Sequence, residues 1–418
     1  MRPSQGRRPL LALAPMLVLV VGCGGAADAG GNAADAGPLA TTKPLGDVLP
    51  AGPKSLDVFA EGDAVDVLVA VEDEAGLKLL HTHSTDGGAT WRAATRVDAA
   101  GPTPHRPSFH SAPQIARVGE QLVAVWTTGG TGFMGRGPMA SARSRDGGAT
   151  WRSGPAPAAK PERGGQGFID LASGPEGDLH LVWLGKRPDT IGNKGIYYAR
   201  SGDHGASWSE PKAVDTHACE CCATRLVTGS DGALYTLYRD IDPRDMSVAK
   251  LAAGDSWTRL GYAGAFAWAF DGCPHVGGGL LAVGPPEQRS LHAVVWTGET
   301  EAQGVYYVRS TDDGATWHPP QRVTDDPAIH ADITGSAEFL VAAWDTRTDD
   351  GGAVYVAASR DDGAHWSAPV TISDAATKAS LPRVVLTRGG VLMLWLEQRQ
   401  DGDVLNARLL QDTDLDSN

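Results

Sequence analysis

The octet Ser84-Thr85-Asp86-Gly87-Gly88-Ala89-Thr90-Trp91 decides the fold, because it recurs. Near-intact copies lie at 144–151, 201–208, 310–317 and 359–366, under the pattern S-x-D-x-G-x-T/S-W, relaxed only at His365. Gly254-Asp255-Ser256-Trp257 reads as a decayed sixth copy. Each copy has the chemistry of a tight turn. The Asp carboxylate accepts backbone N–H groups, the Gly takes a conformation that other residues resist, and the Trp buries a large ring beside the turn.

Working outward, an apolar strand precedes each copy, and seven such strands share an ending. They are LVAVED (68–73), LVAVWTT (122–128), LHLVWLG (179–185), LYTLYRD (234–240), LHAVVWTG (291–298), LVAAWDTR (340–347) and LMLWLEQR (392–399). A second strand follows each, and a short edge strand follows the octet, as at 209–214 and 367–372. The seventh group ends at Leu410 without an edge strand; Thr41–Leu49 is placed to supply it from the other end of the chain. The sequence therefore predicts an all-β domain over 41–410, a β-propeller of seven four-stranded antiparallel blades, with no amphipathic helix of useful length. Closure of the ring by the N-terminal segment would protect its edges.

The octet is the Asp box, the bacterial neuraminidase repeat, and the chain resembles the sialidase-like β-propellers over nearly all of the predicted domain. Sialidases typically have six blades, which is the alternative count. The resemblance places the boxes on the outer part of each blade, away from the ligand site. It also implies a reaction to look for: three Arg clamping a carboxylate, a Tyr nucleophile activated by a Glu, and an Asp acid/base. The chain departs from that pattern. Residues 55–83 hold no Arg before the first box, and His105-Arg106-Pro107 lies one blade later. Most Tyr fall on strands outside the channel (Tyr197, Tyr198, Tyr306, Tyr307, Tyr355). A ligand-binding propeller and a sialidase-like exo-glycoside hydrolase acting on anionic glycans are thus the two functional expectations.

The ends of the chain carry an address. Arg2, Arg7 and Arg8 precede an apolar run, Leu10 to Val21, too short to span a bilayer. The run closes on Val20-Val21-Gly22-Cys23, which resembles a bacterial lipobox. That resemblance implies a signal peptide over 1–22, lipid on Cys23 and a Gly/Ala/Asp-rich tether over 23–40. The expected location is the extracytoplasmic side of a bacterial envelope, with membrane contact through the anchor only and a monomeric domain. Residues 411–418 read as an acidic tail. A net charge of −14 argues against nucleic acid as a partner and leaves a glycan or other small ligand.

In each blade, with strands A to D from the axis outward, the D–A and B–C loops emerge on one face and the Asp boxes on the other. The first face should carry function. Its D–A loops and inner-strand starts offer Arg106, His110, Asp170, Arg225, Trp268, His330, Asp332 and Arg383, and its B–C loops offer Arg239 and Asp240 as ligand-binding candidates. One D–A loop holds Cys219-x-Cys221-Cys222 and the next holds Cys273-x-His275. Beyond Cys23 these are all the cysteines of the chain. They read either as disulfides pinning neighbouring blades, as a soft-metal site for copper or zinc, or as a thiol redox centre. No cofactor is required by the sequence. Met246 is a further donor for a soft metal, and Trp268 lies in the same loop as Cys273.

Overall fold

A computed structural model describes residues 43–415, apart from 107–110, 159–164, 187–193, 220, 252–255, 273, 348–350 and 375–376. The expectations for Cys23, His110 and Cys273 lie outside the described residues, as do the leader and tether.

Seven four-stranded antiparallel sheets follow one another along the chain. Their innermost strands are Pro53–Glu61, Gln114–Val118, Gly167–Ser173, Arg225–Thr228, Gly278–Val283, Ala328–Gly335 and Lys378–Thr387 in blades one to seven. These A strands contact one another in sequence, and blade seven returns to blade one, so they ring a common axis. The seven-blade count holds and the six-blade alternative does not. Blade seven is completed as expected: Lys43 and Pro44 pair with Ala407 and Asn406 of its third strand, Val404–Leu410. The chain ends are thereby stitched through the sheet, which closes the ring and leaves only the short outer strands as edges.

The five intact boxes repeat one set of bonds. In each, the Ser hydroxyl donates to the Asp carboxylate at 2.7–2.9 Å and accepts the amide N–H of the box Gly. The other Asp oxygen accepts the Thr or Ser hydroxyl at 2.5–2.6 Å in the first four. His365 satisfies the same position with its Nδ1 at 2.6 Å, which explains why this relaxed copy still closes. Two consecutive residues of every box have left-handed φ, as at Gly147 and Gly148 (65° and 84°). The box Gly also sits against the preceding blade. A Cβ on Gly148 would lie 2.1 Å from His81, and one on Gly363 would lie 1.7 Å from the Tyr307 hydroxyl. The box is therefore both a turn and an interblade seam.

The second strand of most blades ends on a Trp that fills the space between sheets. Trp126, Trp183 and Trp395 are each about 1% exposed. Trp126 donates to Pro102 O and Trp296 to Ala328 O, both at 3.1 Å, tying strand ends to the loops of the opposite face from the boxes.

Candidate functional site

On that opposite face, all seven blades contribute to a narrow axial mouth of about 40 Å³. Three inner-strand aspartates surround Arg225 here, of which Asp170 lines the mouth itself. Asp57 of blade one accepts the Ile115 N–H of blade two at 2.8 Å. Asp170 of blade three accepts Leu226 N–H of blade four at 2.5 Å, and Asp332 of blade six accepts Val384 N–H of blade seven at 3.3 Å. Each carboxylate thus staples its blade to the next. Asp170 and Asp332 also hold Arg225, whose guanidinium is 3.8 Å from the first and 3.2 Å from the second. Arg383 makes only a long 3.9 Å contact with Asp332.

Burial dominates the electrostatics here, because a desolvated carboxylate resists ionisation. It pushes Asp57 up to about 6 and Asp170 up to about 7, against the pull of Arg225, and raises Asp332 as well. Burial alone would lower Arg225, but Asp332, Asp170 and Asp57 together hold its pKa above the ordinary value. Arg225 is consumed by its partners and stands as part of the ring.

Two wider clefts open beside the mouth. One, of about 550 Å³, lies between blades six, seven and one; the other, of about 650 Å³, lies between blades five and six. They share Ile329, His330 and Arg347, and His330 also lines the mouth. His330 is fixed by Asp345, the last but one residue of its neighbouring strand Leu340–Thr346. Its Nδ1 lies 2.6 Å from Asp345 Oδ2, and Asp345 also accepts the amides of His330 and Leu381. Arg347 and Lys378 line the first cleft, are exposed, and have no carboxylate partner within ion-pair distance among the described residues. Lys54 and Glu397 in the same cleft are already paired, with Asp403 and Arg399.

The cysteine loop lies between blades three and four. Cys219, Cys221 and Cys222 are buried free thiols whose sulfurs lie within 4.8 Å of one another. The Cys219 sulfur is 3.7 Å from that of Cys221 and 3.9 Å from that of Cys222, so none of the three is bridged to another. Hydrogen bonds from the other two thiols, joined by the Arg239 guanidinium at 3.2 Å, hold the Cys219 thiol well below its ordinary value. Thiol contacts push Cys221 up, and burial pushes Cys222 up to about 12. No disulfide joins these three, whose sulfurs stand well beyond the ~2.05 Å of a bond, and the expected bridge from this loop to Cys273 lies outside the described residues. Met246 is buried within strand Met246–Leu251, and His275 lies outside the group of sulfurs.

The remaining expected residues have plain positions. Arg239 is buried, donates to the carbonyls of Arg244, Phe270 and Gly272, and lies over the Trp268 ring at 3.9 Å. Trp268 is 4% exposed. Asp240 pairs with Arg259 and accepts the Tyr262 hydroxyl; burial raises its pKa. Arg106 is 70% exposed and pairs with Glu72 at 2.8 Å. None of the eight tyrosines lines the mouth or either cleft.

Asp57 is absent from the sequence-based candidates, although a signal existed. Leu56-Asp57-Val58, Ile169-Asp170-Leu171 and Ala331-Asp332-Ile333 each place one Asp between apolar residues on an inner strand. An alternating inner strand turns such a residue toward the axis. Phe270 was also missed: it is 53% exposed and stacks on Trp268.

Comparison with known proteins agrees with this architecture. A BNR repeat-like domain matches residues 64–261. An ulvan lyase, a polysaccharide lyase solved bound to a GlcA(1-4)Rha3S saccharide, is 13% identical with a TM-score of 0.60, over 90% of this chain and 94% of that one. A Trypanosoma rangeli sialidase in complex with sialic acid is 12% identical with a TM-score of 0.50, over 74% of this chain and 54% of that one. No curated protein matches the chain. At these identities the likeness is one of fold. The chain is a seven-bladed β-propeller, and its residues 64–261 match a BNR repeat-like domain.

Proposed function

We propose that this propeller binds an acidic glycan on the face opposite its Asp boxes, in the cleft between blades six, seven and one. One observation carries the reading: among the described residues, Arg347 and Lys378 have no ion-pair partner beside the fixed His330, in a protein of net charge −14. A guanidinium fork and a mobile ammonium together suit a sugar carboxylate or sulfate. The saccharides named for the two structural neighbours, a sulfated uronate-containing chain and sialic acid, are both anionic. Sialidase-type hydrolysis is the weaker reading, because no tyrosine lines the mouth and Arg225 is committed to Asp170 and Asp332. Calorimetric titration with a GlcA(1-4)Rha3S oligosaccharide and with a sialyl trisaccharide tests it. Saturable binding to either, lost when the carboxylates are reduced to alcohols, is expected; no binding to both would end the proposal.

The thiol cluster supports a second role on the same protein, a soft-metal site. A tetrahedral ion with metal–sulfur bonds of ~2.3 Å needs sulfurs roughly 3.8 Å apart. The observed separations of 3.7 and 3.9 Å match that spacing without further closure. Copper or zinc held by Cys219, Cys221 and Cys222, with Arg239 offsetting the thiolate charge, would pin the loop between blades three and four. Metal analysis and thiol titration of anaerobically purified protein check this; a thiol count unchanged and no bound copper or zinc after incubation with either ion refute it. Location completes the reading: lipid on Cys23 would hold the domain at the outer side of a bacterial membrane, and Cys23→Ala should release it to the soluble fraction.

A further inference from the structure

Phe270 is the most exposed large apolar side chain among the described residues, at 53%, and it stands in the D–A loop between blades four and five. Exposed aromatics are usually mobile; this one is built in. Its ring lies parallel to Trp268, with an interplanar angle of 11° and centroids 6.0 Å apart. Trp268 is buried against the Arg239 guanidinium on one side and meets Trp296 edge-on. The backbone beneath is fixed as well. Arg239 donates to Phe270 O at 3.1 Å and Gly272 O at 3.2 Å, while Asp245 accepts the amides of Ala267 and Trp268 at 2.8 and 3.1 Å. Two glycines clear the space: a Cβ on Gly272 would lie 2.4 Å from the Phe270 ring, and one on Gly298 would lie 2.4 Å from the Trp268 ring. The packed guanidinium, indole and phenyl groups therefore present one aromatic ring to solvent with its ordering entropy already spent.

The same loop continues into Pro274, His275 and Val276, which wall the 650 Å³ cleft that meets the acidic-glycan cleft at His330. A pyranose has a polar rim and an apolar C–H face, and a fixed aromatic ring next to a polar cleft is the surface that receives such a face. We infer that Phe270 is an outer stacking platform for one sugar ring of a glycan several residues long. This rests on the glycan reading above and adds a second contact point to it: charge is gripped at Arg347 and Lys378, and ring surface at Phe270.

Binding of a GlcA(1-4)Rha3S disaccharide and octasaccharide to wild type, Phe270→Ala and Phe270→Trp separates the two ideas. An aromatic contact of this kind corresponds to roughly a three- to tenfold change in affinity. Phe270→Ala should weaken the octasaccharide by about that factor and leave the disaccharide unchanged, and Phe270→Trp should restore it. Gly272→Ala, which displaces the ring without removing it, should act like Phe270→Ala. Equal octasaccharide affinity for wild type and Phe270→Ala would overturn the platform while leaving the glycan site intact. Binding of neither saccharide by wild type would instead remove the glycan reading, and the platform with it.

Discussion

The two faces of this propeller are built by opposite rules. On the Asp-box face, five turns make the same bonds at nearly the same distances, and one blade's glycine presses on its predecessor. On the other face no two blades carry the same loop. One offers three thiols, another an aspartate-fixed histidine, a third an exposed phenylalanine. Repetition marks what every blade needs to stand beside its neighbour. Singularity marks what only the assembled ring uses. If that division is real, substitutions on the two faces should fail in different ways.

The largest expected effect lies on the repeated side. Gly363→Ala puts a methyl onto the Tyr307 hydroxyl at a φ of 77°, and should cost about 2–4 kcal/mol, read as a fall in urea midpoint. Trp183→Ala empties a fully buried site between sheets, toward the other end of the strands, and should cost about 3–5 kcal/mol because that ring too is repeated from blade to blade. Wild-type stability in either variant would break the comparison at its root.

Next comes the axial ring, which belongs to both rules. Asp57 and Asp170 keep their protons to about pH 6 and 7, far above an unfolded carboxyl. The folded state therefore binds more protons between roughly pH 4 and 7, and these two groups make stability fall as pH rises through that window. The slope is at most about 1.4 kcal/mol per pH unit per group. Asp170→Asn should flatten the curve relative to wild type between pH 5 and 7. An unchanged difference curve would mean the carboxylate is ionised throughout.

The singular face should respond in binding alone. Arg347→Ala or Lys378→Ala is expected to weaken acidic oligosaccharide binding about tenfold, with unfolding shifted by no more than ~0.5 kcal/mol. A comparable loss of stability would reassign the two cations to the scaffold. Smallest of all, raising salt from about 0.05 to 0.5 M should weaken wild-type binding severalfold and the double variant hardly at all, since screening acts on exposed charge.

This division also explains what the sequence could reveal. The boxes, the seven strand endings and the stitch at Lys43–Pro44 are local patterns repeated at blade spacing, so one chain contains its own alignment. His330, Asp332 and Arg383 could be placed on the right face by loop order alone. Which of them meet could not, because Arg225 reaches Asp170 and Asp332 across blades three, four and six. Trp268 stands out in the sequence as an aromatic ring in the loop of Cys273, but its neighbour Phe270 is the ring that faces water. Exposure depends on how Arg239 and Gly298 seat the loop, and no spacing rule encodes that.

The stitch in blade seven has one more consequence. Lys43–Pro44 runs antiparallel to Val404–Leu410, so the chain enters the sheet at the end where the third strand leaves it. That end is the Asp-box side. Lys43 and Leu410 are therefore neighbours at the Asp-box end of blade seven, and the next turn stays on the domain: Asp412 pairs with Arg360 and Leu415 is buried. First and last strands close one sheet, so the two ends of the described chain lean on each other while the groove at His330 opens at the opposite ends of the strands.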